Sequence, residues 1–167
     1  MSAAEIYGDY VKALIESEDA RKASLEQRGV GVVTTSSALA TLLFALVGVV
    51  TAAKNFALPV SAHGYLVVAI ALFAAAVALG LLANVPLLYE QGKPTPEKLA
   101  AVWGYSDPQA QGYVIATRLK VLSSARRSNR LKGWLVLSAG LVQLAALVVL
   151  VLGVLAIMNG NPHPAAG

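Results

Sequence analysis

VGVVTTSSALATLLFALVGVVTAA, residues 30–53, decides how this chain is read. Its 24 residues carry no charge. As a helix rising about 1.5 Å per residue they reach about 36 Å, enough to cross a bilayer with some tilt. Small side chains recur along it at Gly31, Thr34, Ala38, Thr41, Ala45, Gly48 and Ala52, in steps of four and three that average 3.5 residues. That is the repeat of a left-handed helix pair, and small residues let a second backbone approach closely in lipid. Thirteen of the 24 residues are Gly, Ala, Ser or Thr, so a small-residue stripe is partly compositional. Its regular spacing predicts a packing face.

At 167 residues, 57% hydrophobic and 13% charged, the chain is far from an average soluble domain, which carries about 25% charge. Three charge-free runs, 29–53, 55–89 and 133–167, account for this. Each is long and apolar enough for a transmembrane helix, so the expected fold is an all-α membrane protein with spans at 30–53, 64–89 and 133–158. The first run is too long for a secretory signal, and 29 polar, partly acidic residues precede it. With no cysteine there is no disulfide framework or thiolate metal site. His63 and His163 lie 100 residues apart, each outside a span, so no metal site is expected.

Orientation follows from the basic residues. Residues 1–29 hold four Lys and Arg, residues 90–132 hold eight, the turn at 54–63 holds only Lys54, and the tail holds none. Twelve of 13 therefore share one side, which the positive-inside rule makes cytoplasmic. The N-terminus is expected inside and the C-terminus outside.

Residues 1–29 predict a cytoplasmic amphipathic helix. Ser2 and Glu5 form a capping-box pattern, and Ile6, Tyr7, Tyr10, Val11, Leu14 and Ile15 make one apolar stripe. No Gly or Pro interrupts residues 9–28, so this helix can run on into the first span. Residues 54–63 are an outer turn, with Phe56 and Tyr65 as interface anchors. Near the inner end of the second span Pro86 should kink or end the helix, and Asn84 can satisfy a freed carbonyl or reach a neighbouring helix. The cytoplasmic segment 90–132 predicts a helical hairpin. Thr95 and Pro96 open a short helix to about Trp103, and Asp107 and Pro108 cap a longer one through Arg130. Its candidate buried positions are Tyr113, Val114, Val121, Leu122 and Ala125, and only Gly133 could separate it from the third span. The tail 159–167 has a disordered composition.

Polar residues within the spans are the candidate functional positions. Gln143 lies 10 residues in from Gly133 and Thr41 lies 11 in from Val30, so the two should meet at matched depth. By the same arithmetic Asn84 should face Thr34 to Ser37. Such contacts glue helices together or line an aqueous path in an oligomer. No Asp, Glu, Lys, Arg or His lies inside a span, which argues against a proton pump or ion-coupled transporter. The basic run Arg118, Lys120, Arg126, Arg127, Arg130 and Lys132 adjoins the membrane and is expected to contact headgroups or another anion. No phosphate loop, RNA-binding aromatic pair or zinc knuckle accompanies it, so nucleic acid is not an expected partner. Nucleophile-elbow, zinc-protease, paired-carboxylate and nucleotide-binding patterns are all missing, so no enzyme and no cofactor is expected.

The order of elements carries a resemblance. A charged helix with Glu18-Asp-Ala-Arg-Lys-Ala-Ser24 enters a Ser/Thr-rich first span, and a second span closes on Asn84-Val-Pro86. A basic helix with Thr117-Arg-Leu-Lys-Val-Leu-Ser-Ser-Ala-Arg126 enters the third. Over residues 5–155 this resembles the small bacterial membrane effectors of anti-phage nucleotide signalling, the Pycsar transmembrane effector and SLATT families. It is also similar to short actinobacterial membrane proteins often named plasmid transfer proteins. The first resemblance implies a homo-oligomer in the bacterial inner membrane that breaches it on infection, with a cytoplasmic sensor as partner. The second implies a small membrane component of a DNA-transfer or envelope complex, acting through protein partners.

Overall fold

The computed structural model describes residues 3–52, 59–85, 97, 100 and 104–159. Its long elements are three α-helices: α1, Ala3–Ala52; α2, Val60–Asn84; and α3, Asp107–Asn159. Each contains a window long and apolar enough to cross a membrane. The expected N-terminal helix and first span are one helix, as are the basic helix and third span. Gly133 does not interrupt α3: one glycine costs about 1 kcal/mol against alanine, too little to break a helix so well supported on both sides.

Three boundaries differ from expectation. α2 begins at Val60 rather than Gly64, and its first turn closes when the His63 amide donates to the Pro59 carbonyl at 3.2 Å. It stops at Asn84, short of Tyr89, because Val85 precedes a proline, which disfavours the helical region, and forms a bend instead. The cap of α3 is Ser106, not Asp107. The Ser106 carbonyl accepts from Ala110 at 2.9 Å, and its amide donates to Gln109 Oε1 at 3.3 Å, the reciprocal half of a capping box. The expected Ser2 cap, the Lys54 turn with Phe56, the tail 160–167, and the helix at 95–103 apart from Glu97 and Ala100 lie outside the described residues.

The chain divides into two compact units, Met1–Glu26 with Val85–Gly133 and Gln27–Asn84 with Trp134–Gly167. In the first, the N-terminal part of α1 pairs with the start of α3. Arg118 meets Gly8, Asn129 meets Glu18 and Lys132 meets Glu26, so both helices run the same way. Leu122, Ala125, Asn129 and Lys132 are buried in steps of three, four and three, a coiled-coil seam. The apolar stripe expected on α1 splits: Val11 is buried, Leu14 and Ile15 are half-buried, and Ile6, Tyr7 and Tyr10 face outward.

The second unit packs three helices. On α2 the buried residues are Ala62, Leu66, Ala69, Phe73, Ala76, Gly80 and Ala83, alternating steps of four and three without exception. On α1 they are Gly29, Ser36 and Leu43, and on α3 Ala139, Ala146 and Gly153, each set seven apart. Such a repeat keeps one stripe of each helix facing its neighbours. α2 runs against the other two, since its end meets Gly29 and its start meets Gly153.

Candidate functional site

The polar positions of these seams form the candidate site. In the first unit Lys132 is 1% exposed, and its Nζ donates to Glu26 Oε1. Asn129, 2% exposed, donates through Nδ2 to the Glu18 carbonyl at 2.8 Å and to Glu18 Oε2 at 2.9 Å. Arg126 Nε lies 3.5 Å from Glu18 Oε1, and Arg118 Nη1 donates to the Gly8 carbonyl at 3.3 Å. α1 supplies the carboxylates and carbonyls, and α3 supplies the donors. Buried charge is tolerable only when paired in this way, and a buried Asn or Lys in a coiled-coil seam fixes register at some cost in stability.

In the second unit glycine allows close approach. A Cβ on Gly29 would sit 2.9 Å from Asn84 Nδ2 and 3.2 Å from the Gly80 carbonyl. One on Gly80 would sit 2.8 Å from Val33 Cγ2 and 3.1 Å from the Gly29 carbonyl. One on Gly153 would meet Tyr65 Cβ at 3.1 Å. Two backbones therefore touch where α1 crosses the end of α2, the close contact that small residues permit in lipid. Ser36 Oγ is buried beside this seam without a hydrogen-bond partner.

Several expected contacts are corrected. Gln143 Nε2 donates to Thr35 Oγ1 at 2.8 Å, not to Thr41, whose own hydroxyl donates to the Ser37 carbonyl at 2.9 Å. Depth counted from the charge boundaries assumed that Val30 and Gly133, 103 positions apart, lie level. The actual pairing is 108 apart, so the boundaries of the apolar runs do not set the register. Asn84 does not face Thr34 to Ser37. Its Nδ2 donates to the Gly80 carbonyl at 2.9 Å in its own helix, beside Gly29.

The small-residue stripe is not the face that holds the three helices together. Gly31, Thr34, Ser37, Ala38, Thr41, Ala45 and Gly48 are all exposed; the side chain of Ala52 is not among those described. The packed seam, Gly29, Ser36 and Leu43, lies on the opposite side of α1. Composition misled here: Gly, Ala, Ser and Thr are frequent enough to form two stripes on one helix. The period of α2, and the sevenfold recurrence of Gly29, Ser36 and Leu43, were the sequence signals for the true seam. The expected basic run is also divided. Arg118, Arg126 and Lys132 are held by α1, whereas Lys120, Arg127 and Arg130 are exposed.

The first unit also has an open cavity of about 420 Å³ lined by Glu5, Asp9, Val114, Ile115 and Arg118. Val114, expected to be buried, is exposed there. Among the described residues no three His, Cys, Asp or Glu gather as metal ligands. Compared with known proteins, the chain matches no family model, no curated protein and no solved structure.

Proposed function

We propose that this chain is a membrane effector that self-associates through the small-residue face of α1 and perturbs the bacterial inner membrane in anti-phage defence, as the families it resembles do. The observation that carries the self-association is the uncovered face of α1 opposite its packed seam. Within the apolar run that face is Gly31, Thr34, Ala38, Thr41, Ala45 and Gly48. The same steps continue toward the N-terminus through Ala13, Ser17, Ala20 and Ser24, all exposed as well. An exposed face of a charged helix ordinarily carries long polar side chains, so small residues there favour a second helix at close range. Glu16 and Arg21 flank the stripe on opposite sides, where a parallel pair of α1 helices would bring unlike charges together. The charge asymmetry supports a cytoplasmic N-terminus.

Expression of the protein in bacteria should depolarise the cells, read with a potential-sensitive dye. Normal potential and growth, with the protein verified in the membrane, would remove the effector reading.

The outward Ile6, Tyr7 and Tyr10, 56%, 65% and 62% exposed, favour a second reading. In it the chain is a small component of a DNA-transfer or envelope complex and offers this aromatic face to a partner protein. It expects no depolarisation.

A further inference from the structure

We propose that Lys120, Arg127 and Arg130 form a docking surface for anionic lipid headgroups on the outward side of α3. This rests on the reading of the long helices as membrane spans, and not on the effector role. Three of the six basic residues beside the apolar run of α3 have partners on α1: Arg118 on the Gly8 carbonyl, Arg126 on Glu18 and Lys132 on Glu26. Lys120, Arg127 and Arg130 have no acidic partner among the described residues, and all are exposed. Their spacing of seven and then three puts them on one face of the helix, opposite the buried Leu122, Ala125, Asn129 and Lys132.

The same steps of four and three carry that face along α3 to Trp134, Leu137, Leu141, Leu144 and Val148, all exposed. One side of a single helix thus reads cation, then indole, then aliphatic, the order met on passing from headgroups into acyl chains.

Geometry favours a lipid surface over a free anion. A soluble phosphate is held by donors that converge on one point. Here the cations are strung along the helix, with Arg127 and Arg130 about 4.5 Å apart in axial rise and Lys120 about 15 Å from Arg130. The headgroup layer is about 5–8 Å thick on each side of a bilayer. Arg127 and Arg130 fit within it together, while Lys120 stands about one Debye length outside and acts only at long range. The two arginines should therefore dominate, and the lysine should add little.

The full chain, reconstituted in phosphatidylcholine bilayers with trace spin-labelled phosphatidylglycerol or phosphatidylcholine, gives the relative association of the two lipids. Wild type should prefer phosphatidylglycerol, and the preference should fall about five-fold for each cation lost at Arg127→Gln and Arg130→Gln, less at Lys120→Gln. Arg127→Lys should retain it. Arg126→Gln should leave it unchanged while lowering thermal stability, because that charge is already engaged by Glu18. A preference that survives Arg127→Gln/Arg130→Gln overturns the proposal. So does one lost equally in Arg126→Gln, or one abolished by millimolar inorganic phosphate at constant ionic strength, which would mark a soluble-anion site.

Discussion

At the scale of single residues, glycines divide by what surrounds them. Gly29 and Gly80 lie where two backbones touch, whereas a Cβ on Gly31 or Gly48 would meet nothing within 4 Å. Adding a methyl group at Gly80 presses on Val33 and on the Gly29 carbonyl, and a backbone carbonyl cannot rotate away as a side chain can. Overpacking costs about 1–3 kcal/mol, against about 1 kcal/mol gained in helix propensity. Gly29→Ala and Gly80→Ala should each lower thermal stability in detergent, by about 1–2 kcal/mol. Gly31→Ala should be neutral or mildly stabilising in the monomer. Equal effects at all three positions would mean that the close approach of α1 and α2 is not what these glycines serve. Gln143 shows the same dependence on context: its partner is Thr35 because the helices are fixed in register elsewhere, not because their apolar runs begin level.

At the scale of elements, the paired stretches of α1 and α3 in the first unit hold a buried polar seam. Lys132 is almost wholly buried and Glu26 about two-thirds so. Removing one partner strands the other's charge, which costs about 3–5 kcal/mol in buried cases and less here because Glu26 still meets solvent. Glu26→Gln should therefore destabilise the helix pair clearly, while Glu26→Leu with Lys132→Leu should restore most of the loss. A double variant as unstable as Glu26→Gln would show that the pair adds net stability and does not act mainly as a register lock. The existence of these helices was legible, because charge-free runs and capping signals depend on nearby residues. That α1 and α3 each run unbroken was also legible, from the missing Gly or Pro in 9–28 and the lone Gly133. Their mutual register was not, since it comes from Glu18, Glu26, Asn129 and Lys132, residues that read as solvated charge until a partner helix is placed beside them. The choice of packed face failed for a related reason. Gly31 to Gly48 and Gly29 to Leu43 both repeat every 3.5 residues, and one helix cannot say which stripe meets its own chain.

At the scale of the whole molecule, three helices long and apolar enough to cross a membrane leave one regular face of α1 uncovered. The proposed self-association assigns that face to a second copy, and the proposed lipid surface assigns the outward side of α3 to the bilayer. The two assignments are compatible because they use different helices. The chain contains no cysteine, so single introduced cysteines report on each face without background. The measurement is oxidative cross-linking in native membranes of Ala38→Cys on α1 and, separately, Leu144→Cys on α3. Disulfide-linked dimer is predicted for Ala38→Cys and monomer for Leu144→Cys; cross-linking at Leu144→Cys with none at Ala38→Cys would contradict the account.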